Sequence, residues 1–479
     1  MVFFPFAYIF AAFLASNIAA AYVNQGKEKD ISLAIAFTFI SVALISVVLQ
    51  HIQVFRINAT QYVMYIGKEF QSNLRPFANV GQPNQLVLLF FLAIASIIYL
   101  YQREKINIFV VYLVFAMLLW RAALTQSRIG WVIIPMYALF LFFWGGNRRL
   151  VNVAIGIIVA YVIFVILLPN FGKMLGIPVA SIANHVGGRS ERIVLWKQAW
   201  HMAAEHPWFG VGWAGFGPEQ VRIAADFGSS TYAEHSHNMI LNFAAELGWP
   251  VTIVFFGYLT WWFYQTCIRP KQTAEIRFAT MCLLAVFVHS MVEFPLWYAY
   301  VLIPVAVLMG MLDQMRWPSK GVQVHSSIVV SFLAITVFCM AAVTWDYQRV
   351  VAGFKALRLQ LAGEKFDPKM MAMPQYTFFP QFFEYFRLMQ IKPREGMSAQ
   401  DIAYFEHWSR RFGFVHILNT MAEIYVLNGE PKKASREMLT LQRLHPDLYP
   451  EYFDYWKARA AQDQRYRAIF LEMPKRDAP

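Results

Sequence analysis

Four consecutive residues, His235-Ser236-His237-Asn238, set two imidazoles beside a hydroxyl and an amide where an apolar stretch begins. An unperturbed imidazole titrates at about 6.5, so its neutral form can take a proton from an alcohol at physiological pH. His237 is the candidate general base, with His235 alongside. Helical neighbours repeat every three to four residues, which lines Asn238, Asn242 and Glu246 along one face. A charged group at membrane depth costs ~2.5 kcal/mol or more, so that stripe is not a lipid-facing surface. Two histidines merely solvated by headgroups are the ordinary alternative, and it leaves the stripe unaccounted for.

Arginines supply the second chemistry. A guanidinium stays charged and presents a planar fork of donors that matches phosphate oxygens, whether of a diphosphate or of a lipid headgroup. Arg128 lies in Thr125-Gln-Ser-Arg-Ile-Gly, between two apolar runs, while Arg189 and Arg192 open a predicted helix. That helix carries Ile193, Trp196, Trp200 and Ala203 on one side, the pattern of a membrane-surface face. A third set, Gln82, Asn84 and Gln85, opens another apolar run and offers hydrogen bonds to sugar hydroxyls; helix capping explains Asn84 equally well. A fourth joins His289 and Glu293, four residues apart, to Tyr298, which an aromatic belt would also explain. Gly210-Val-Gly-Trp-Ala-Gly215 fits the dinucleotide-binding glycine pattern by letter but has no strand before it and no βαβ unit around it. It reads as a turn where backbone packs closely on backbone or ligand.

The elements that must position these groups are membrane helices. Of 479 residues, 58% are apolar and 15% charged, against roughly 25% charged in a soluble protein. Apolar segments run over 2–23, 31–50, 86–101, 106–120, 129–144, 150–168, 238–265, 278–292, 296–312 and 325–345, giving about ten spans in an all-α polytopic protein. Lys27 and Lys29, Arg103 and Lys105, Arg148 and Arg149, Arg269, Lys271 and Arg277, and Arg316 and Lys320 fall in alternate short loops, which the positive-inside rule makes cytoplasmic. The candidate groups all fall on the other side, in a long loop over about 169–237 and in the turns near 128 and 293. This topology starts outside the cytoplasm, so an odd number of further spans is expected upstream.

Two domains follow: a membrane domain over 1–345 and a soluble helical domain over 346–479. Within the second, Asn419 to Pro446 pairs two short helices around Gly429, with Ala422, Tyr425 and Leu427 facing Ala434, Leu439, Leu441 and Leu444, like one tetratricopeptide repeat. The net charge of +12 belongs to loops, since no basic stripe alternates with exposed aromatics as nucleic-acid binding requires. Cys267, Cys282 and Cys339 lie in or beside apolar runs, without metal-ligand or disulfide spacing. No metal or cofactor is expected.

Taken in order, Gly188-Arg-Ser-Glu-Arg192 with Trp196, His206-Pro-Trp-Phe-Gly-Val-Gly212, His235-Ser-His-Asn238 and Glu246-Leu-Gly248 resemble the core of the O-antigen ligase and polymerase superfamily. With Val80-Gly-Gln-Pro-Asn-Gln85, the His289 to Tyr298 segment and the tail, the chain most resembles the PglL-type protein O-oligosaccharyltransferases. That resemblance implies a bacterial inner-membrane enzyme, acting on the periplasmic side without a metal. It implies en bloc transfer of an oligosaccharide from undecaprenyl diphosphate to a Ser or Thr hydroxyl of a pilin or another exported protein. The essential histidine would be His237, the phosphate-handling arginines Arg128 and Arg189 or Arg192, and the glutamine and tyrosine of this branch Gln82 or Gln85 and Tyr298. Two rival readings are a ligase or polymerase with a glycolipid or glycan acceptor, and a transporter using Glu246 and the histidines for proton coupling. The second should show internally repeated halves, and the 238–250 pattern does not recur.

Overall fold

In hydrocarbon a backbone must satisfy its own hydrogen bonds, and an apolar run of about twenty residues does so as a helix. The computed structural model describes residues 3–57, 62–64, 75–146, 148–174, 176, 191–320 and 325–476, and among these every regular element is helical. In order they are α1 Phe3–Val23, α2 Glu28–Val54, α3 Pro83–Gln102, α4 Ile108–Leu124, α5 Gly130–Trp144, α6 Arg148–Met174, α7 Glu191–Glu205, α8 Phe216–Ile223, α9 Met239–Leu247 and α10 Trp249–Phe263. There follow α11 Ala274–Ser290, α12 Ala299–Arg316, α13 Ser326–Leu361, α14 Pro380–Leu388, α15 Ala399–Phe412, α16 Val415–Leu427, α17 Pro431–Leu444, α18 Tyr449–Ala460 and α19 Gln464–Glu472. Six stretches are long and apolar enough to cross a bilayer: α2, α3, α6, Trp249–Ile268, α12 and Val330–Leu361. Ala7–Val23, α4 and α5 are apolar but shorter. The chain is an all-α polytopic membrane protein.

It divides into two units. One comprises Ala7–Arg189 and Phe255–Gly321. Its axis is α3, apolar all round and buried from Gln85 to Leu100, packed by α2, α4 and α11. Small residues set close approaches: a Cβ on Gly310 would lie 2.2 Å from the Ser16 carbonyl oxygen, so α12 rests directly on α1. At one end of α3, the buried Glu275 carboxylate accepts from Tyr99 Oη at 3.2 Å and pairs with Arg103.

The other unit comprises Met1–Phe6, Ser190–Val254 and Val322–Pro479. The sequence places a domain boundary at Trp345 and Asp346, where apolar residues give way to charge; that position lies within α13, which runs unbroken for 36 residues. Asp346 is anchored there. Its buried carboxylate accepts from Phe378 N at 2.7 Å and Thr377 Oγ1 at 2.9 Å, tying the helix to the chain ahead of α14. Farther on, α16 and α17 form a hairpin turned at Gly429 (φ +80°), burying Met421, Ala422 and Tyr425 with Ala434, Met438 and Leu441. Trp456 of α18 plugs this core and donates through Nε1 to Asn419 Oδ1 at 2.7 Å, while Asn419 Nδ2 donates to Glu423. Val221 and Ala224, far earlier in the chain, belong to the same core. The segment around α8 and the tail are therefore one packed body.

Removing the Trp456 indole leaves both a cavity and an unsatisfied buried amide. Trp456→Ala is expected to cost ~3–5 kcal/mol, read as a lower denaturation midpoint of the full-length protein; an unchanged midpoint would show that this core does not unfold cooperatively with the rest.

Candidate functional site

Helix α9 ends early. Its last-turn carbonyls need partners outside the helix, and the chain preceding α8 supplies them: Val211 N donates to Ala245 O at 2.8 Å and Gly212 N to Glu246 O at 3.0 Å. Gly210 permits this. Its φ is +64°, and any Cβ there would lie 2.3 Å from the Glu246 carbonyl carbon. The glycine-rich run is thus a turn of backbone on backbone. Gly248 (φ +82°) then stops α9, and the apolar span starts afresh at Trp249. The sequence reads 238–265 as one kinked span; the structure makes it two helices, because Gly248 packs on the Trp208–Phe209 peptide with no room for a side chain.

The break leaves the polar stripe on a short helix of the loop body. Asn238 caps α9, accepting from Leu241 N at 3.0 Å. Asn242 Oδ1 accepts from Ser236 N at 2.9 Å, which fixes the chain before the helix. Both Glu246 oxygens accept backbone amides, from Ala214 N at 3.1 Å and Phe216 N at 3.3 Å. Burial pushes the Glu246 carboxyl up to about 7, against the pull of those amides toward the charged form. His235 and His237 stand edge to face with ring centroids 4.6 Å apart, both half-buried. His237 adopts φ +55°, a left-handed conformation costly for a side-chain-bearing residue and held here by its neighbours' hydrogen bonds.

The stretch leading to His235 is clamped from two sides. From α8, the buried Gln220 donates through Nε2 to Thr231 O at 3.1 Å and accepts from Ala233 N at 2.8 Å; its amide also meets Gln198 of α7 at 3.2 Å. From the tail, Ser230 N donates to Arg443 O at 2.8 Å and Tyr232 N to Leu444 O at 3.2 Å. Tyr232 Oη donates to Arg411 O at 3.1 Å, and its ring lies where a Cβ on Gly413 would be, 2.4 Å away. Arg411 in turn donates to Ala214 O at 2.9 Å, so the left-handed Ala214 is held at both its amide and its carbonyl. At the start of α7, Glu191 accepts from Thr231 Oγ1 at 3.1 Å, bringing the half-buried Arg192 into this body. Arg189 lies outside the described residues. Glu205, His206 and Glu219 offer ligand atoms within 4.8 Å of one another, but Arg222 bridges both carboxylates and supplies the positive charge itself.

In the other unit, Asn84 is a hub. Its Oδ1 accepts from Ser127 Oγ at 2.8 Å and Arg75 Nη2 at 3.2 Å, and its Nδ2 donates to Glu293 Oε1 at 2.8 Å. Three separate sequence candidates meet there: the start of α3 with Gln82 and the buried Gln85, the turn carrying the exposed Arg128 next to Ser127, and the Glu293 turn. His289 is fully buried in the last turn of α11, and its carbonyl accepts from Glu293 N at 2.9 Å. Tyr298 immediately precedes α12 and is exposed, with its ring 5.3 Å from Tyr300. Arg75, Ser127, Gln198, Gln220, Tyr232 and Arg411 have no signature in the sequence.

Residues 113–256 match the O-antigen ligase family, and residues 278–464 match the C-terminal family of virulence factor membrane-bound polymerases. The chain is 23% identical over 390 residues to a general O-oligosaccharyltransferase of Acinetobacter baylyi, covering 78% of this chain and 67% of that protein. It is 24% identical over 316 residues to a ComP-specific O-oligosaccharyltransferase of the same organism, covering 65% of this chain and 56% of that protein. The chain thus spans between about half and two thirds of these curated relatives. No solved structure matches it. The two family matches follow one another in chain order, and both relatives carry the name O-oligosaccharyltransferase, so over most of its length the chain is similar to O-antigen ligases and to these O-oligosaccharyltransferases.

Proposed function

We propose that the protein transfers a preassembled oligosaccharide from undecaprenyl diphosphate to a Ser or Thr hydroxyl of a pilin-like or other exported protein, on the periplasmic side of the inner membrane. The observation that carries this reading is the His235–His237 pair, with rings 4.6 Å apart and with His237 in a left-handed conformation between Ser236 and Asn238, whose hydrogen bonds fix the chain on either side. His237 removes the acceptor proton as the hydroxyl oxygen attacks the anomeric carbon. The bond to the diphosphate breaks in the same displacement, with inversion, and the leaving group carries its own activation. Arg192 or Arg189, and Arg128, are assigned to the charge that develops on the departing diphosphate. Gln82, Gln85, His289, Glu293 and Tyr298 are assigned to glycan and acceptor. Asn238 and Glu246 hold the loop, as their hydrogen bonds support.

A glycolipid acceptor is the second reading, favoured by the O-antigen ligase match over 113–256. The two separate on product: glycan on an exported protein supports the first, glycan on lipid A core alone the second.

With purified protein, undecaprenyl diphosphate glycan and a candidate pilin, His237→Ala should lower turnover by about 10²–10⁴-fold, with chelator leaving the parent unaffected. Full activity in His237→Ala would remove the base, and loss on chelation would replace it with a metal. Gln220→Leu, which cuts the clamp on 231–233, should lower kcat by up to about 10²-fold through misplacement of the imidazoles with a smaller change in KM. An equal loss in His237→Ala and in the double variant would tie the two effects to one cause.

A further inference from the structure

Helix α7 buries Leu195, Gln198, Ala199 and Met202. The sequence suggests that Ile193, Trp196, Trp200 and Ala203 form its outer face, but Ala203 is buried and the exposed line is Ile193, Lys197, Trp200 and Ala204. Beyond the helix the chain ends in a bare aromatic tip, with Trp208 70% and Phe209 86% exposed, followed by exposed Trp213. Nothing in the site described above uses these rings.

Their position relative to Trp249 is fixed by one stretch of backbone. Trp249 N donates to Pro207 O at 2.8 Å, and the Trp208–Phe209 peptide packs on Gly248 so closely that a Cβ there would lie 2.4 Å from Trp208 O. The Trp200 and Trp249 rings meet edge to face at 5.4 Å. Trp249 opens the apolar stretch Trp249–Ile268 of 20 residues, which as a helix spans about 30 Å, the thickness of the hydrocarbon layer. The first residue of such a span stands at the membrane boundary, where tryptophan is favoured. Whatever packs on that residue stands there too.

We propose that the outer line of α7 and the Trp208–Phe209 tip are seated in the lipid interface at this end of the span, with Lys197 reaching back to the headgroups. The occupant of the face is the bilayer itself. Exposed large rings in line with a lysine have the composition of an interfacial helix, and continuity with the span places them at its depth. The loop body is thereby held at a set height by aromatic rings of its own as well as by its covalent link to the span. This inference is independent of what the protein transfers.

The test uses the full chain in nanodiscs of phosphatidylethanolamine and phosphatidylglycerol, with a photoreactive phenylalanine analogue placed singly at Phe209 or Trp200. Val254, exposed within the span, and Leu471, exposed on the tail, serve as references. Lipid adducts at both positions, in yields comparable to Val254 and far above Leu471, are expected. Labelling like that of Leu471, or adducts to protein instead of lipid, would overturn the proposal. A second measurement needs no inserted residue: brominated lipids should quench less of the emission in Trp208→Phe than in the parent. An unchanged brominated-lipid response, with the lost emission found to be iodide-quenchable, would place the ring in water.

Discussion

The contact of Gly210 with the end of α9 is the constraint on which the rest of the loop body depends. Because there is no side chain at Gly210, the amides of Val211 and Gly212 reach the last carbonyls of α9, and a helix end that would need water is closed by protein. Glu246, one residue from that end, is thereby brought to the amides of Ala214 and Phe216 and fixes where α8 begins. At the other end of the same short helix, Asn242 holds Ser236 and Asn238 holds Leu241, so His237 is set between two fixed points. Its left-handed backbone persists because both neighbours are already committed. The histidine geometry is a consequence of a glycine contact 27 positions away, through a rigid nine-residue helix.

The tail contributes to the same geometry. Val221 and Ala224 sit in its core, Tyr232 fills the space over Gly413, and Arg411 holds the carbonyl of Ala214. His445 donates through Nε2 to the Gly413 carbonyl at 2.7 Å, closing the turn against which the Tyr232 ring packs. A tail that only captured an acceptor could be loosely tethered. This one is continuous with the support of the candidate base.

Much of this was legible in the sequence, for physical reasons that differ from residue to residue. Long apolar runs give membrane helices because hydrocarbon allows little else. The Asn238, Asn242 and Glu246 stripe was legible from helical spacing, and the Ala422 to Leu444 hairpin from apolar periodicity around a glycine. The split of 238–265 was harder, since Gly-Trp-Pro reads equally as a kink; what decides it is the Trp208–Phe209 peptide lying against Gly248, a contact between distant segments. On α7 the expected outer residues Ile193 and Trp200 are exposed while Ala203 is buried, because apolar residues lie on both sides of that helix and periodicity cannot say which side the protein covers. Gln220 and Arg75 were missed outright. Gln220 sits on a short helix and Arg75 in a loop, and what each holds is main chain of a distant segment, which leaves no spacing to read.

Ser230 and Tyr232 meet the tail through the carbonyls of Arg443 and Leu444, and neither bond touches a side chain of either tail residue. Main-chain acceptors are the same for every amino acid. Leu441 and Leu444 keep the end of α17 in the core of the tail, while the exposed positions of that helix can change without moving the carbonyls that hold the approach to His235. Variation of the outer surface and preservation of the histidine geometry can proceed on one helix without conflict.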